Sequence, residues 1–388
     1  MGRWTFCALL VCSCALPPAP GTQYRPAGGD VPPAPDVATP PDAVTCASPQ
    51  VRCGADCADT RVSLVHCGAC GNACASGQSC VAGVCTGGGA SLTQRSCATA
   101  GTPGCGMVPI TGGNFILGSN IDCGSMGSNP GCVYGGSPEQ PNVTVADFAI
   151  DAYEVTVARF NAYWDVRARD MATVRGSPIP YPHEAIMWQP PPNAEPLRQD
   201  TYCNWLPDPS SRDAHPMNCV DYWMAQEFCV WDGGHLPTEA QWEFVARGGA
   251  RAGLAAGRLY AWGDDPPSAS CDRAQWNGCP GEDGARTRRV GRFSTGAAGG
   301  VFDLTGNVWE WVADNYAAYS GMGSASPCGN RTGTSRRVCN NSATGDRVFR
   351  GGSWHGDDAA YLRAASRFYY TPANRDGSVG FRCARDTP

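Results

Sequence analysis

The residues in this chain with the most chemistry to offer are its cysteines, 23 among 388 residues, many of them paired eight to sixteen positions apart. A reduced compartment seldom tolerates so many thiols without metal-ligand spacing, so they read as disulfides of an exported protein. A second candidate is Gly306-Asn307-Val308-Trp309-Glu310-Trp311, which sets an amide oxygen and a carboxylate three positions apart on a tight turn. Oxygen donors so placed suit a hard cation. They equally suit a tryptophan-anchored turn whose Glu310 meets an arginine, and both readings stand at this point. A third is the polar group His355, Asp357 and Asp358 beside Ser353, which reads either as exposed loop or as part of a non-haem metal site. The usual facial triad needs two histidines, and the chain has five: His66, His183, His215, His235 and His355. Arg363 and Arg367 are candidates for pairing with buried carboxylates or for holding an anion. All 29 basic residues are arginine, which removes Schiff-base, P-loop and lysine general-base chemistry.

The elements that would position these groups lie in the C-terminal two-thirds. The formal net charge is −6 with no basic run, which argues against nucleic-acid binding. Residues 1–14 read as a signal peptide: Arg3, then an apolar run from Trp4 to Val11, then small residues. Val11-Cys12-Ser13-Cys14 looks like a bacterial lipobox that would place a lipid on Cys14, with ordinary secretory cleavage nearby as the alternative. No later stretch approaches the roughly 18 apolar residues of a membrane span. Residues 15–45, rich in Pro and Ala, read as an extended tether. Residues 46–85 carry eight cysteines in too short a span to fold on apolar burial alone, so cross-links must supply the order. His66 to Cys74 also has the look of a zinc knuckle, but an exported chain favours oxidised sulfur. Residues 86–104 read as a second linker, and 105–388 as the globular domain, where most tryptophans lie. There Met107-Val108-Pro109-Ile110 reads as a strand that turns at Thr111-Gly112-Gly113 and returns over Phe115 to Leu117 as a hairpin. Thr156 is an N-cap for a helix with Phe160, Tyr163 and Trp164 on one face. A second helix runs from about Asp221 to Trp231 with Tyr222, Ala225, Cys229 and Val230 inward. In Leu236-Pro237-Thr238-Glu239-Ala240-Gln241, Thr238 and Gln241 form a capping box. The composite is α+β, loop-rich, with few short helices and strands.

Several phrases occur in order: Met107 to Phe115, Ile150-Asp151-Ala152-Tyr153-Glu154-Val155-Thr156, His215-Pro216, Gly234 to Phe244, Ala261-Trp262-Gly263, Asp303 to Trp311, Arg350-Gly351-Gly352-Ser353-Trp354 and Gly380-Phe381-Arg382-Cys383. Together they resemble the sulfatase-modifying-factor (formylglycine-generating enzyme) domain family. The segment from Cys57 to Cys85 resembles the Stig1-like cysteine-rich repeats of bacterial surface proteins. The first resemblance implies a C-type-lectin-like core stabilised by calcium, with Asn307 and Glu310 at one calcium site and Asp272 or Asp283 at a second. It implies a Cys229–Cys383 disulfide. It also implies a second bond near positions 246 and 364, where this chain has Ala246 and Ala364. Local pairs expected besides are Cys203–Cys219, Cys271–Cys279 and Cys328–Cys339, with Cys97–Cys105 and Cys123–Cys132.

The family's enzymes oxidise a substrate cysteine to formylglycine on copper(I) held by two thiolates, a soft-ligand requirement. The resemblance places those thiolates at Gly356 and Ala359 here, and Trp354 to Arg367 contains no cysteine. Ser353 falls on the family's cleft serine. The expectation is a surface-anchored or secreted, calcium-stabilised binding module that does not use copper, with an unidentified protein, peptide or glycan ligand and membrane contact only through an N-terminal lipid. The alternative is a divergent oxidoreductase of the same family, formylglycine-generating or of non-haem-metal type, acting on exported proteins.

Overall fold

In the computed structural model, residues 46, 50–53, 56–61, 66–72, 79–81, 83–86, 93–119, 140–166, 178–179, 186–187, 202–205, 212–249, 257–268, 270–277, 279–283, 285–316, 345–355 and 359–387 are described. The chain divides into two units, Met1–Ala43 and Val44–Pro388, and every described residue belongs to the second. Cys14, the Cys123–Cys132 and Cys328–Cys339 pairs, Asp357 and Asp358 lie outside the described residues.

Two small antiparallel pairs come first, β1 (Val51–Cys53) with β2 (Asp56–Ala58) and β3 (Ser79–Val81) with β4 (Val84–Thr86). The domain core is built from β5 (Met107–Ile110), β6 (Gly113–Leu117), β7 (Gln140–Val145), β8 (Phe148–Asp151) and α1 (Val157–Trp164). The two-residue strands β9 (Pro178–Ile179) and β10 (Ile186–Met187) follow. Next come α2 (Tyr222–Trp231), α3 (Glu239–Ala246), β11 (Trp309–Asn315), β12 (Arg347–Arg350), β13 (Arg367–Tyr370), β14 (Val379–Phe381) and β15 (Ala384–Asp386).

The helices start where local chemistry says they should. Thr156 accepts from Arg159 N at α1 and Asp221 from Met224 N at α2, and Thr238 with Gln241 closes a full capping box at α3. Each cap satisfies amides that the first helical turn leaves without intrahelical partners. Phe160 and Tyr163 of α1 pack against Phe228 of α2 at 5.8 and 5.5 Å between ring centroids. Val230, expected inward, is only half-buried.

The main sheet has the order β13-β12-β11-β14, with β11 and β14 parallel and the other pairs antiparallel. A second sheet runs β15-β8-β5. The hairpin expected across Thr111-Gly112-Gly113 does not form: β5 pairs with β8, and β6 pairs with β7 in a separate ladder. The glycine turn passes the chain from one sheet to the next. A Cβ at Gly112 would collide with the Val145 carbonyl, so the close crossing itself requires glycine. Phe115 is then turned onto Phe244 of α3, 5.3 Å away.

The linker expected over 86–104 is corrected at its C-terminal end, because residues from Gln94 onward are built into the domain. Gln94 Nε2 donates to Asp151 Oδ1 (2.7 Å), and Ser96 N donates to Asp232 Oδ1 (2.6 Å). Arg159, fully buried, donates to Ser96 Oγ, Asp151 Oδ2 and Asp232 Oδ2 at 2.9 Å each. The Cys97–Cys105 disulfide closes this segment. A buried guanidinium is tolerated only when its donors are matched, and the upstream segment supplies part of that matching. Cys229–Cys383 ties α2 to the C-terminal strands across 154 residues. Cys203–Cys219, Cys271–Cys279 and Cys53–Cys70 are further bonds, and Cys46, Cys67 and Cys85 are also disulfide-bonded. Ala246 and Ala364 are both buried in one apolar cluster, so that position is filled by packing in place of sulfur. Replacing Arg159 by Met should lower unfolding free energy by about 3–5 kcal/mol in urea denaturation, because it strands Asp151 and Asp232. The paired change Cys229→Ser and Cys383→Ser should cost a comparable amount, about 5 kcal/mol for so long a loop.

Candidate functional site

At the domain centre, three buried carboxylates converge on one guanidinium. Glu310 lies on β11 opposite Arg350 and Gly380. Its Oε2 accepts from Arg382 Nε (2.6 Å) and Trp242 Nε1 (2.8 Å), and its Oε1 from Arg382 Nη2 (2.7 Å). Arg382 also donates to the carbonyls of Asp151 (3.1 Å) and Phe302 (2.8 Å). Glu154 accepts from Asn307 Nδ2 (2.5 Å) and Val308 N (3.2 Å). Asp303 accepts from Gly291 N (2.5 Å). The turn from Asp303 to Asn307 is held by left-handed backbone at Asp303, Gly306 and Asn307 (φ 56°, 80° and 63°). A Cβ on Gly306 would collide with the Gln275 carbonyl.

The electrostatics are unbalanced. Burial, with the Asp303 and Glu310 charges adding to it, drives the Glu154 carboxyl well above the usual range. Burial likewise pushes Asp303 up to about 6, against the Gly291 amide and Arg382. The Arg382 guanidinium is held up by the carboxylates around it, which outweigh the burial opposing them. Sequence reasoning missed Glu154 and Asp303. The available signal was an acidic residue inside the otherwise apolar Ala152-Tyr153-Glu154-Val155, and another opening the Gly306-Asn307 turn.

The residues expected to hold calcium are each engaged separately. Glu310 has both oxygens engaged by Arg382 and Trp242, the arginine-met turn that is one of the two readings of this motif. Asn307 Oδ1 accepts from Arg288 N (2.9 Å) while its amide nitrogen serves Glu154. Asp283 Oδ2 accepts from Arg289 Nε (2.9 Å) and lies 3.2 Å from His215 Nε2. His215 Nδ1 meets Thr287 Oγ1 at 2.9 Å, and burial lowers the imidazole pKa despite Asp283. Asp272 is exposed and enters through its carbonyl, which accepts from Thr295 Oγ1.

The Ser353-Trp354-His355 segment is joined to this centre where Trp354 N donates to the Asn307 carbonyl (3.0 Å). Ser353 is buried, and its Oγ accepts from His355 N (3.1 Å). His355 is exposed, its ring 5.0 Å from that of Trp354. Arg367 pairs with both oxygens of Glu239 at 2.7 Å, and Arg350 bridges Glu239 and Glu243. Arg367 is thus committed to structure. Arg363 lies over the Tyr260 ring at 5.7 Å.

A loop-rich α+β domain with few short helices and strands is what the sulfatase-modifying-factor motifs imply. Residues 93–387 match the sulfatase-modifying factor enzyme 1-like domain model, and the chain belongs to that family. It is 30% identical to a formylglycine-generating enzyme of Streptomyces coelicolor, covering 72% of this chain and 89% of the relative. It is equally 30% identical to a Bos taurus relative named inactive C-alpha-formylglycine-generating enzyme 2, covering 72% and 87%. Among solved structures it resembles PvdO from Pseudomonas aeruginosa, at 25% identity and TM-score 0.48 over 72% of this chain and 94% of that one.

The acidic centre makes a pH prediction. Asp303 has a folded pKa of about 6 against an ordinary 3.8, so the native state binds more protons than the unfolded chain between those values. Its stabilising contribution is complete below about 3.8 and is lost as the pH rises through 6. In chelator, the melting temperature should therefore carry a downward component over that interval, and Asp303→Asn should lessen it.

Proposed function

We propose that this chain is an exported, calcium-stabilised binding module of the sulfatase-modifying-factor family, not a formylglycine-producing oxidase. One observation carries the reading: from Ser353 to Phe381 the sequence has no cysteine. The nearby Cys229 and Cys383 are bonded to each other, as are Cys203 and Cys219. Copper(I) needs thiolate ligands, and the donor set around Ser353, Trp354 and His355 does not fit it. The named relatives include both formylglycine-generating enzymes and an inactive one, so family membership leaves the chemistry to the residues.

Calcium is taken from the family resemblance: among the described residues no three metal-ligating side chains gather to hold an ion, and the buried centre offers only its excess of negative charge. Three carboxylates facing one guanidinium leave an excess of negative charge where water is excluded, and such charge is paired, protonated or metal-bound. An ion taken up there would need backbone carbonyls or water besides Glu154 and Asp303, because Glu310 is held on Arg382 and the three carboxylates do not close into a ligand cluster. A hard, oxygen-seeking ion would supply rigidity to a region built mostly of turns. Export is supported by the disulfides and by the N-terminal pattern, with Cys14 as the lipid acceptor. Among the described residues no helix is long and apolar enough to cross a membrane. Histidine-metal oxidation gains no support from the described imidazoles: His355 packs beside Trp354, whereas His215 faces Asp283 and His235 bonds the Leu236 carbonyl.

Incubation of the purified chain with copper and a Cys-x-Pro-x-Arg peptide should yield no aldehyde by mass spectrometry; formation of aldehyde would overturn the reading. Metal analysis should return calcium without stoichiometric copper or iron. Removing calcium should lower the melting temperature and re-adding it should restore it, and Glu154→Gln should abolish that difference.

A further inference from the structure

We propose that Tyr202, Trp354 and His355, with Arg286 at their end, form a subsite for an acidic polysaccharide. The rings would stack on the face of a uronic acid residue, and the guanidinium would take its carboxylate. The proposal rests on the binding-module reading and names a ligand class for it.

The aromatic groups pack as one cluster. The Tyr202 and Trp354 ring centroids are 5.5 Å apart with planes tilted by 37°. His355 meets Trp354 edge to face, 5.0 Å away at 66°, and the Arg286 guanidinium lies over the Tyr202 ring at 6.0 Å. Tyr202 is 46% exposed, His355 and Arg286 are exposed as well, and Trp354 is half-buried.

The surface is also rigidly mounted. The Gly377 carbonyl accepts from Trp354 Nε1 (3.1 Å) and from Asn218 Nδ2 (2.6 Å), and Asn218 Nδ2 also donates to the Tyr202 carbonyl (2.8 Å). The Cys203–Cys219 disulfide fixes the residues next to Tyr202 and Asn218. A Cβ on Gly377 would lie 2.6 Å from Tyr202 Cβ, so glycine permits this close approach. Arg286 is anchored through its carbonyl, which accepts from the buried Gln275 (2.8 Å). Large exposed aromatics fixed in advance lose little entropy on binding, the usual condition for recognition.

Charge selects the ligand. In a chain of net charge −6, four arginines fall within seven residues: Arg286, Arg288, Arg289 and Arg292. Arg289 is paired with Asp283 and Glu282. Among the described residues no carboxylate is recorded within ion-pair distance of Arg286. Asp376, next to Gly377, turns to Ser378, accepting from its amide and hydroxyl. Arginine's planar fork matches a carboxylate. A sugar suits the platform better than a peptide strand does. Residues 202–205 and 352–355 carry no strand and so present no row of main-chain donors for strand addition, whereas a pyranose ring needs only aromatic faces and a polar edge.

The test titrates short oligomers of galacturonate, glucuronate and mannuronate into the full chain, following heat and tryptophan fluorescence, with methyl-esterified oligomers and polyglutamate alongside. At least one acidic oligomer should bind, and its ester should bind roughly tenfold more weakly, the scale of one charge-assisted contact. Arg286→Gln should erase the difference between acid and ester. Tyr202→Ala and Trp354→Ala should abolish binding of both, and Arg273→Gln, a half-buried arginine paired with Asp265, should leave it unchanged. Near-ultraviolet circular dichroism would confirm that each variant folds. Failure of every acidic oligomer to bind, or binding indifferent to Tyr202→Ala, would sink the proposal, as would polyglutamate binding as tightly through the same residues. The aldehyde assay is independent of these outcomes, so the subsite can fall while the non-catalytic reading stands.

Discussion

A guanidinium taken out of water costs several kcal/mol unless its donors are met by acceptors in good geometry, and Arg382 meets that condition at the centre of the domain. It joins Glu310 on β11 to the carbonyls of Asp151 on β8 and Phe302. Those acceptors come from different sheets and from a loop, with no ladder of hydrogen bonds between them. Arg159, Arg350 and Arg367 act similarly, and all four are among the largest fully buried side chains. Lysine could not substitute: its compact ammonium lacks the planar fork that holds two oxygens and a carbonyl at once. Much of the chain is turn and loop, so these buried forks do a share of the joining that longer strands would do elsewhere.

The same arrangement explains why the centre is chemically distinct. Arg367 and Arg350 meet Glu239 and Glu243 two for two. Around Arg382, Glu154 and Asp303 are added to Glu310 with no second cation paired to them among the described residues, and both acids have their pKa values raised. The excess charge sits at a turn whose left-handed residues fix Asn307, and the Asn307 carbonyl receives the Trp354 amide. Whatever neutralises the centre therefore also steadies the backbone that receives Trp354.

The stretch from Ser353 to Phe381 has no cysteine, and the rings of Tyr202, Trp354 and His355 gather there with the Arg286 guanidinium. Cys203–Cys219 fixes the residue next to Tyr202, and Cys229–Cys383 closes the domain.

Local features were legible from the amino-acid order. The caps at Thr156, Asp221 and Thr238 involve atoms three residues apart, and the short-range disulfides 97–105, 203–219 and 271–279 span 8, 16 and 8 residues. The family motifs, read in order, also identified the domain and the long Cys229–Cys383 bond. Tertiary structure alone decided what each acid meets. Glu310 and Arg382 are 72 positions apart, and Glu154 and Asn307 are 153 apart, distances at which no periodicity carries information. The same limit hid the sheet crossing at Gly112 and the entry of Gln94 into the core. A side chain's type states which partners it can satisfy, but only the packing of distant segments, each required to leave no buried donor or charge unmatched, selects among them.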